Sequence, residues 1–173
     1  MMLVQLENLQ ETETLARVLA EDARVGDIFA LSGDLGAGKT AFARAFIHAR
    51  AKAAERMDLV DEVPSPTFTL VQEYDLPNGR VSHFDLYRLE DPDDAIELGI
   101  EDAFADSICL IEWPDRLAGL LPVTQHSIAL TITEGERRQA LLSGGRWSTS
   151  PPDVQRAGLK AQTLSDGTIQ RDT

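Results

Sequence analysis

Asp27-Ile28-Phe29-Ala30-Leu31-Ser32-Gly33, followed without a break by Gly33-Asp34-Leu35-Gly36-Ala37-Gly38-Lys39-Thr40, decides how this chain is read. The first stretch is an apolar run about one strand long that ends in glycine. The second fits G-x-x-x-x-G-K-[ST] without a mismatch. A helical stretch follows from Lys39 to about Ala53, with Phe42, Ala45, Phe46 and Ala49 recurring along one side. Strand before and helix after is the context a phosphate-binding loop needs. Gly33, Gly36 and Gly38 permit backbone geometry that turns successive N–H groups inward, so that the loop through Asp34, Leu35 and Ala37 cradles phosphate oxygens. The helix aims its positive end at the same place. Lys39 is expected to reach the β- and γ-phosphates, and the Thr40 hydroxyl to complete the shell of a magnesium ion.

Outward from this loop, the chain is 173 residues and 19.0 kDa, about one domain at ~150 residues per domain. Its 16 basic and 29 acidic residues leave a net charge of −13. That balance argues against a face that grips nucleic acid by counterion release. Cys109, the single cysteine, sits in the apolar run Ile108-Cys109-Leu110-Ile111 and reads as a small buried hydrophobe. No signal peptide and no membrane-length apolar run is found, so a soluble, cytoplasmic protein is expected.

The remaining order of elements is also readable. Residues 2–7 alternate as a short strand, and 11–23 place Leu15, Val18 and Leu19 on one helical face. Pro64 and Pro66 exclude a helix interior around Ser65. Strands over 67–75 and 80–88 flank Pro77-Asn78-Gly79 and predict a hairpin, because Asn-Gly tolerates positive φ. Residues 91–106 read as helical, 107–113 as a buried strand ending in an acid, and 114 onward as a short helix. Strands over 126–133 and 137–143 close a domain spanning 1–143. From Gly144 to Thr173 glycine, serine, proline and threonine dominate, which predicts a disordered or weakly docked tail.

A phosphate loop implies a nucleoside triphosphate but leaves the base and the reaction open. Neither Asn8 nor Asn78 is followed by lysine, so the guanine-reading Asn-Lys-x-Asp motif is absent and ATP is the default. A second acid must help hold magnesium. Glu112, at the end of an apolar strand, fits, since open α/β sheets bind ligands at those strand ends. In His83-Phe84-Asp85-Leu86-Tyr87-Arg88, strand alternation places His83, Asp85 and Tyr87 on one face. An imidazole and a carboxylate together can position water or support the metal's outer shell. Eight acids (Glu90, Asp91, Asp93, Asp94, Glu97, Glu101, Asp102 and Asp106) crowd 90–106 without a basic residue. They form a solvated helical face or a docking face for a basic partner.

Taken in order, the phosphate loop, Ser65–Tyr74, His83–Leu89, Glu97-Leu98-Gly99 and Leu110–Pro114 make the chain similar to the TsaE (YjeE) family over about residues 10–143. That family consists of bacterial ATPases that help make threonylcarbamoyladenosine in tRNA. The resemblance implies a three-layer α/β sandwich of the P-loop NTPase kind, with a mixed central sheet, helices on both faces and no kinase-type lid. It implies ATP or ADP with magnesium as cofactors. It also implies TsaD and TsaB as protein partners, which the ATPase would reset between turnovers, with tRNA reached only through them. Carried over by position, Lys39 is the phosphate-loop lysine, Thr40 and Glu112 are the metal ligands, and Asp85 is the aspartate needed for hydrolysis. Thr67, in the stiff Ser65-Pro66-Thr67-Phe68 segment, is placed to sense γ-phosphate. Trp113 packs beside the nucleotide or simply anchors the core. Asp115 is implied to lie near the nucleotide. A late arginine is a family feature for which Arg137 and Arg138 compete, Arg137 being the candidate. No arginine is obviously placed to complete the site, so hydrolysis is expected to be slow alone. A small-molecule kinase and a non-catalytic nucleotide-gated module remain as competing readings.

Overall fold

The fold is read from a computed structural model that describes residues 1–60 and 62–164. In chain order the elements are β1 (Met2–Leu6), α1 (Leu9–Glu21), β2 (Ile28–Ser32), α2 (Lys39–Ala53), β3 (Val71–Tyr74), β4 (Val81–Asp85), α3 (Pro92–Glu97), α4 (Ile100–Asp106), β5 (Ile108–Glu112), β6 (His126–Ile132), β7 (Arg138–Gly144) and β8 (Lys160–Thr163), with short 3-10 turns between some of them. One eight-stranded mixed sheet has the order β3-β4-β5-β2-β6-β7-β1-β8. Strands β4, β5, β2 and β6 are parallel neighbours, while β3, β7 and β8 pair antiparallel at the flanks.

Alternation explains why the central strands read as unbroken apolar runs. Phe29, Leu31, Ile108 and Leu110 join one core with Leu15, Leu19, Phe42 and Phe46 of α1 and α2. Their neighbours Ile28, Cys109 and Ile111 join a second core with Ala95, Ile100 and Ala103 of α3 and α4. Both faces are covered, which favours apolar residues in both alternating sets, and the polar side chains buried in β4 and β5 (Ser82, His83, Asp85 and Glu112) each have a hydrogen-bond partner. Burying each large side chain contributes about 1.5–3 kcal/mol. Burial also pushes the Cys109 thiol up to about 12, consistent with its reading as a hydrophobe.

Local signals moved several boundaries. The first helix starts at Leu9 rather than 11, because Asn8 Oδ1 accepts from Glu11 N at 3.0 Å while the Glu11 carboxylate reaches back to Glu7 N at 2.9 Å. The first contact satisfies a first-turn donor and the second ties Glu7, the residue before the cap, to the same turn. The acidic stretch is two helices, since Gly99 takes φ 76 between them. The hairpin forms, but β3 begins only at Val71, because Leu70 is turned to φ 64 and its N–H donates to Pro66 O.

The tail expectation requires correction over 144–164. β7 runs to Gly144, Trp147, Val154 and Leu159 enter the first core, and β8 pairs antiparallel with β1 in the register Met2↔Thr163. Three scattered apolar side chains and the free edge of β1 supply what the local composition lacks. Residues 165–173 lie outside the described residues.

Candidate active site

Parallel pairing of β4 with β5 sets Asp85 directly opposite Glu112, and β2 sets Leu31 against the same glutamate. Asp85 and Glu112, the last residues of β4 and β5, therefore meet at the strand-end edge of the sheet beside Leu31, one residue before the end of β2, on the face covered by α2. Asp85 and Glu112 are buried to 4% and 2% exposure. After β2 the chain turns through the glycines, and α2 begins at Lys39 with Gly38 at φ 108 as its N-cap and no side-chain cap. The first-turn N–H groups of α2 thus face the loop.

The polar groups interlock. Thr40 Oγ1 donates to Glu112 Oε2 at 2.9 Å, and the second carboxylate oxygen lies 2.9 Å from His83 Nε2. His83 is fully buried, so Glu112 is held from both sides. Thr67 Oγ1 donates to Asp85 Oδ2 at 2.6 Å and Ser65 Oγ to the same oxygen at 3.3 Å, tying the proline-stiffened segment to β4. Lys39 Nζ donates to Gly33 O at 2.7 Å and Asp34 O at 2.9 Å, and stands 4.0 Å from the centre of the Trp113 ring. Burial lowers the pKa of its ammonium, while the carboxylates of Glu112, Asp85 and Asp34 pull it up. Trp113 takes φ 58, a strained backbone for a bulky residue, and its ring packs on Tyr87 at 5.0 Å.

Leu35, Gly36, Gly38, Lys39, Thr40, Thr67, Asp85, Glu112 and Trp113 line one cavity of about 440 Å³, joined by Leu9, Tyr87 and Arg138. Gly33 and Ala37 belong to its frame. A methyl group at Gly33 would stand 2.2 Å from Leu130 O, so only glycine lets the loop pass β6. At Gly36 a methyl group would meet no protein atom within 4 Å.

Two expected residues are elsewhere. Arg137 lies outside the cavity, 61% exposed and paired with Glu7 at 3.1 Å. Arg138 takes its place, with Nε donating to Ala37 O at 3.0 Å. The reason is register: Arg138 alternates with Ala140 and Leu142, which face the first core, whereas Arg137 precedes β7. Because β7 is antiparallel, its first residue pairs with Ile132, the last of β6, and so reaches the loop's edge of the sheet. Leu141 and Leu142 are both apolar, so counting in twos along the sequence leaves Arg137 and Arg138 open, and the pairing of β7 with β6 decides between them. Asp115 is exposed and lines a separate depression with Ser32, Ala118 and Gln125, because the turn at Trp113 leads the chain away. Sequence reasoning named Ser65 only as part of its segment, without its bond to Asp85, and paired His83 with Asp85 rather than with Glu112.

The sequence profile described as threonylcarbamoyl adenosine biosynthesis protein TsaE matches residues 6–140. The chain belongs to the TsaE family. TsaE proteins similar to it include those of Rickettsia felis, 36% identical over 96% of this chain and 93% of the relative. That of Haemophilus influenzae is 46% identical over 65% and 68%, and that of Bacillus subtilis 35% over 76% and 78%. Among solved structures, YdiB of Bacillus subtilis is similar with a TM-score of 0.71 and 25% identity, covering 91% of this chain and 97% of that one. The TsaE match spans every residue of the cavity, from Leu9 to Arg138. No helix among the described residues is long and apolar enough to cross a membrane.

The site's oxygen donors are of the kind that suits a hard cation. Among the described residues no group of three or more His, Cys, Asp and Glu could hold a metal by itself. Magnesium does not need one, since it is commonly held by one or two protein oxygens together with phosphates and water. Thr40 and Glu112 offer such oxygens, already in hydrogen-bond contact.

Proposed function

We propose that this chain is a magnesium-dependent ATPase acting in the biosynthesis of threonylcarbamoyladenosine in tRNA, working on a TsaD–TsaB complex that it resets between turnovers. Membership of the TsaE family supports the pathway. The observation that carries the chemistry is the convergence of Lys39, Thr40, Asp85 and Glu112 on one cavity behind a glycine loop.

In this reading the loop amides and the Lys39 ammonium hold the β- and γ-phosphates, and Lys39 exchanges its carbonyl partners for phosphate oxygens. Thr40 and Glu112 would hold magnesium, which when bound neutralises charge on the phosphate oxygens. Asp85 positions the attacking water or the metal's shell. The Thr67 hydroxyl, which donates to Asp85, senses the γ-phosphate by changing acceptor, so hydrolysis is felt by the 63–68 segment. Arg138 adds positive charge at the loop from within the chain. tRNA is met only through the partner complex, in keeping with the net charge of −13.

The test is ATP turnover by the purified protein with and without TsaD–TsaB. Slow turnover alone and faster turnover in the complex is expected. Equal rates overturn the partner-dependent mechanism, and calorimetry showing no uptake of adenine nucleotide by folded protein overturns the whole reading.

A further inference from the structure

Positive charge is scarce on this molecule, and most of its surface arginines are neutralised locally. Arg56 meets Asp58, Arg80 meets Asp75, Arg137 meets Glu7, and Arg156 meets Glu21. Arg44 and Lys52 are both exposed, and among the described residues neither has a carboxylate within 4.0 Å, a state shared with the exposed Arg24, Arg88 and Arg116 elsewhere on the surface. They stand eight residues apart on α2, with His48 midway, so all three share one helical face. Arg17 of α1 stands across from them, 3.9 Å from Glu13, which also lines the groove and leaves its rim net positive.

Between these cations runs a groove of about 380 Å³ whose floor is Ala41, Ala45 and Ala49. Leu9, 44% exposed, lines it beside the start of α2, and Met57, 45% exposed, lines it beyond the other end. From Ala41 to Ala49 the floor rises through eight residue steps of α2, ~12 Å at about 1.5 Å per residue, enough for roughly two turns of a visiting helix. Leu9 and Ala41 also line the cavity at the phosphate loop, so groove and nucleotide site are continuous.

We propose that the groove between α1 and α2 docks an acidic amphipathic helix of the protein partner, apolar face on the alanine floor and carboxylates against Arg17, Arg44 and Lys52. This rests on the reading above that the chain works on a TsaD–TsaB complex. Helix-in-groove recognition needs an apolar trough with a charged rim, and both are present. A nucleic-acid backbone would use the cations but leave the alanines, Leu9 and Met57 without purpose. Complementary charge speeds encounter and fixes register. Continuity with the phosphate loop explains how nucleotide state is communicated to the partner: Leu9 touches both surfaces, and Arg44 Nε donates to Val63 O at 2.7 Å, just before the Ser65–Thr67 segment that bonds Asp85.

The experiment measures binding of full-length protein to purified TsaD–TsaB by interferometry with ATP and magnesium. The double variant Arg17→Glu/Lys52→Glu is compared with the wild type and with a control, Arg24→Glu/Arg116→Glu, whose exposed arginines lie off the groove. All three are first matched for ATP affinity by calorimetry. The groove variant is expected to bind at least ~10-fold more weakly in about 50 mM salt, with the gap closing near about 500 mM. The control should match the wild type. Equal binding by the groove variant overturns the docking surface but leaves the proposed function standing. Equal loss by the control overturns it in favour of unspecific charge. Wild type that takes up ATP but never binds the complex overturns both the partner reading and this surface. Groove-dependent binding of free tRNA, or a dimer by light scattering that the groove variant abolishes, assigns the groove to nucleic acid or to a second copy and overturns it as well.

Discussion

Replacing Arg138 and Arg137 separately by alanine asks adjacent residues to behave differently for a geometric reason. Arg138 donates to Ala37 O at 3.0 Å and to Glu136 O at 2.6 Å, which holds its guanidinium at the rim of the cavity. A hydrogen bond from a charged donor contributes about 1.5–3 kcal/mol net. One such bond to phosphate, at ~1.4 kcal/mol per tenfold, corresponds to ~10–100-fold in ATP affinity. Loss of the bond to Ala37 O also loosens the loop, so Arg138→Ala should unfold at lower temperature. Among the described residues the Arg137 side chain makes an exposed ion pair with Glu7, a type of contact that contributes about 0–1 kcal/mol. Arg137→Ala should therefore leave ATP affinity within about twofold of wild type, as an exposed pair away from the ligand implies. Calorimetric titration with ATP and magnesium, paired with thermal unfolding of each variant, reads both quantities. Equal losses of affinity, or a larger loss for Arg137→Ala, would refute the register argument.

Three further perturbations probe the same frame. Gly33→Ala puts a methyl group 2.2 Å from Leu130 O and should cost at least ~2 kcal/mol in urea unfolding, while Gly36→Ala, at φ 81 and facing open space, should cost about 1 kcal/mol yet weaken ATP binding about tenfold; the reverse ranking of stabilities would sink the packing account. His83→Ala strips a buried partner from Glu112, so ~2–4 kcal/mol of stability should be lost, and more magnesium should be needed to half-saturate ADP binding; an unchanged magnesium requirement would mean that His83 does not position Glu112. Burial of His126 between Phe29 and Trp147, reinforced by Arg146 and opposed by Asp27, holds its pKa below 6.5. The unfolded chain thus binds the proton more readily, so this contribution is full above pH 6.5 and declines as pH falls through and below that value. A His126→Leu variant should show a flatter stability profile between about pH 7 and 5, and parallel profiles would remove His126 as the cause.

The glycine loop and the helix behind it were legible because their physics is local. Glycines, lysine, threonine and the start of a helix are consecutive, and no distant residue is needed to place the loop between β2 and α2. The buried strands were legible for a related reason: a sheet covered on both faces favours apolar residues in both alternating sets, and Ile108–Ile111 supplies them without interruption. What neighbours what was not local. Asp85 meets Glu112 only because β4 pairs with β5 in one register, and a slip of one residue would turn each side chain to the other face. The same arithmetic chose Arg138 over Arg137, while the turn at Trp113 carried Asp115 away from the cavity. A polar stretch became ordered because β1 offered an unpaired edge and the core had room for Trp147, Val154 and Leu159. Contiguous residues could thus specify a glycine loop with its lysine, threonine and helix start, whereas the side chains that share its cavity were decided by pairing between strands far apart in the chain, whose hydrogen bonds leave no mark on either strand's own composition.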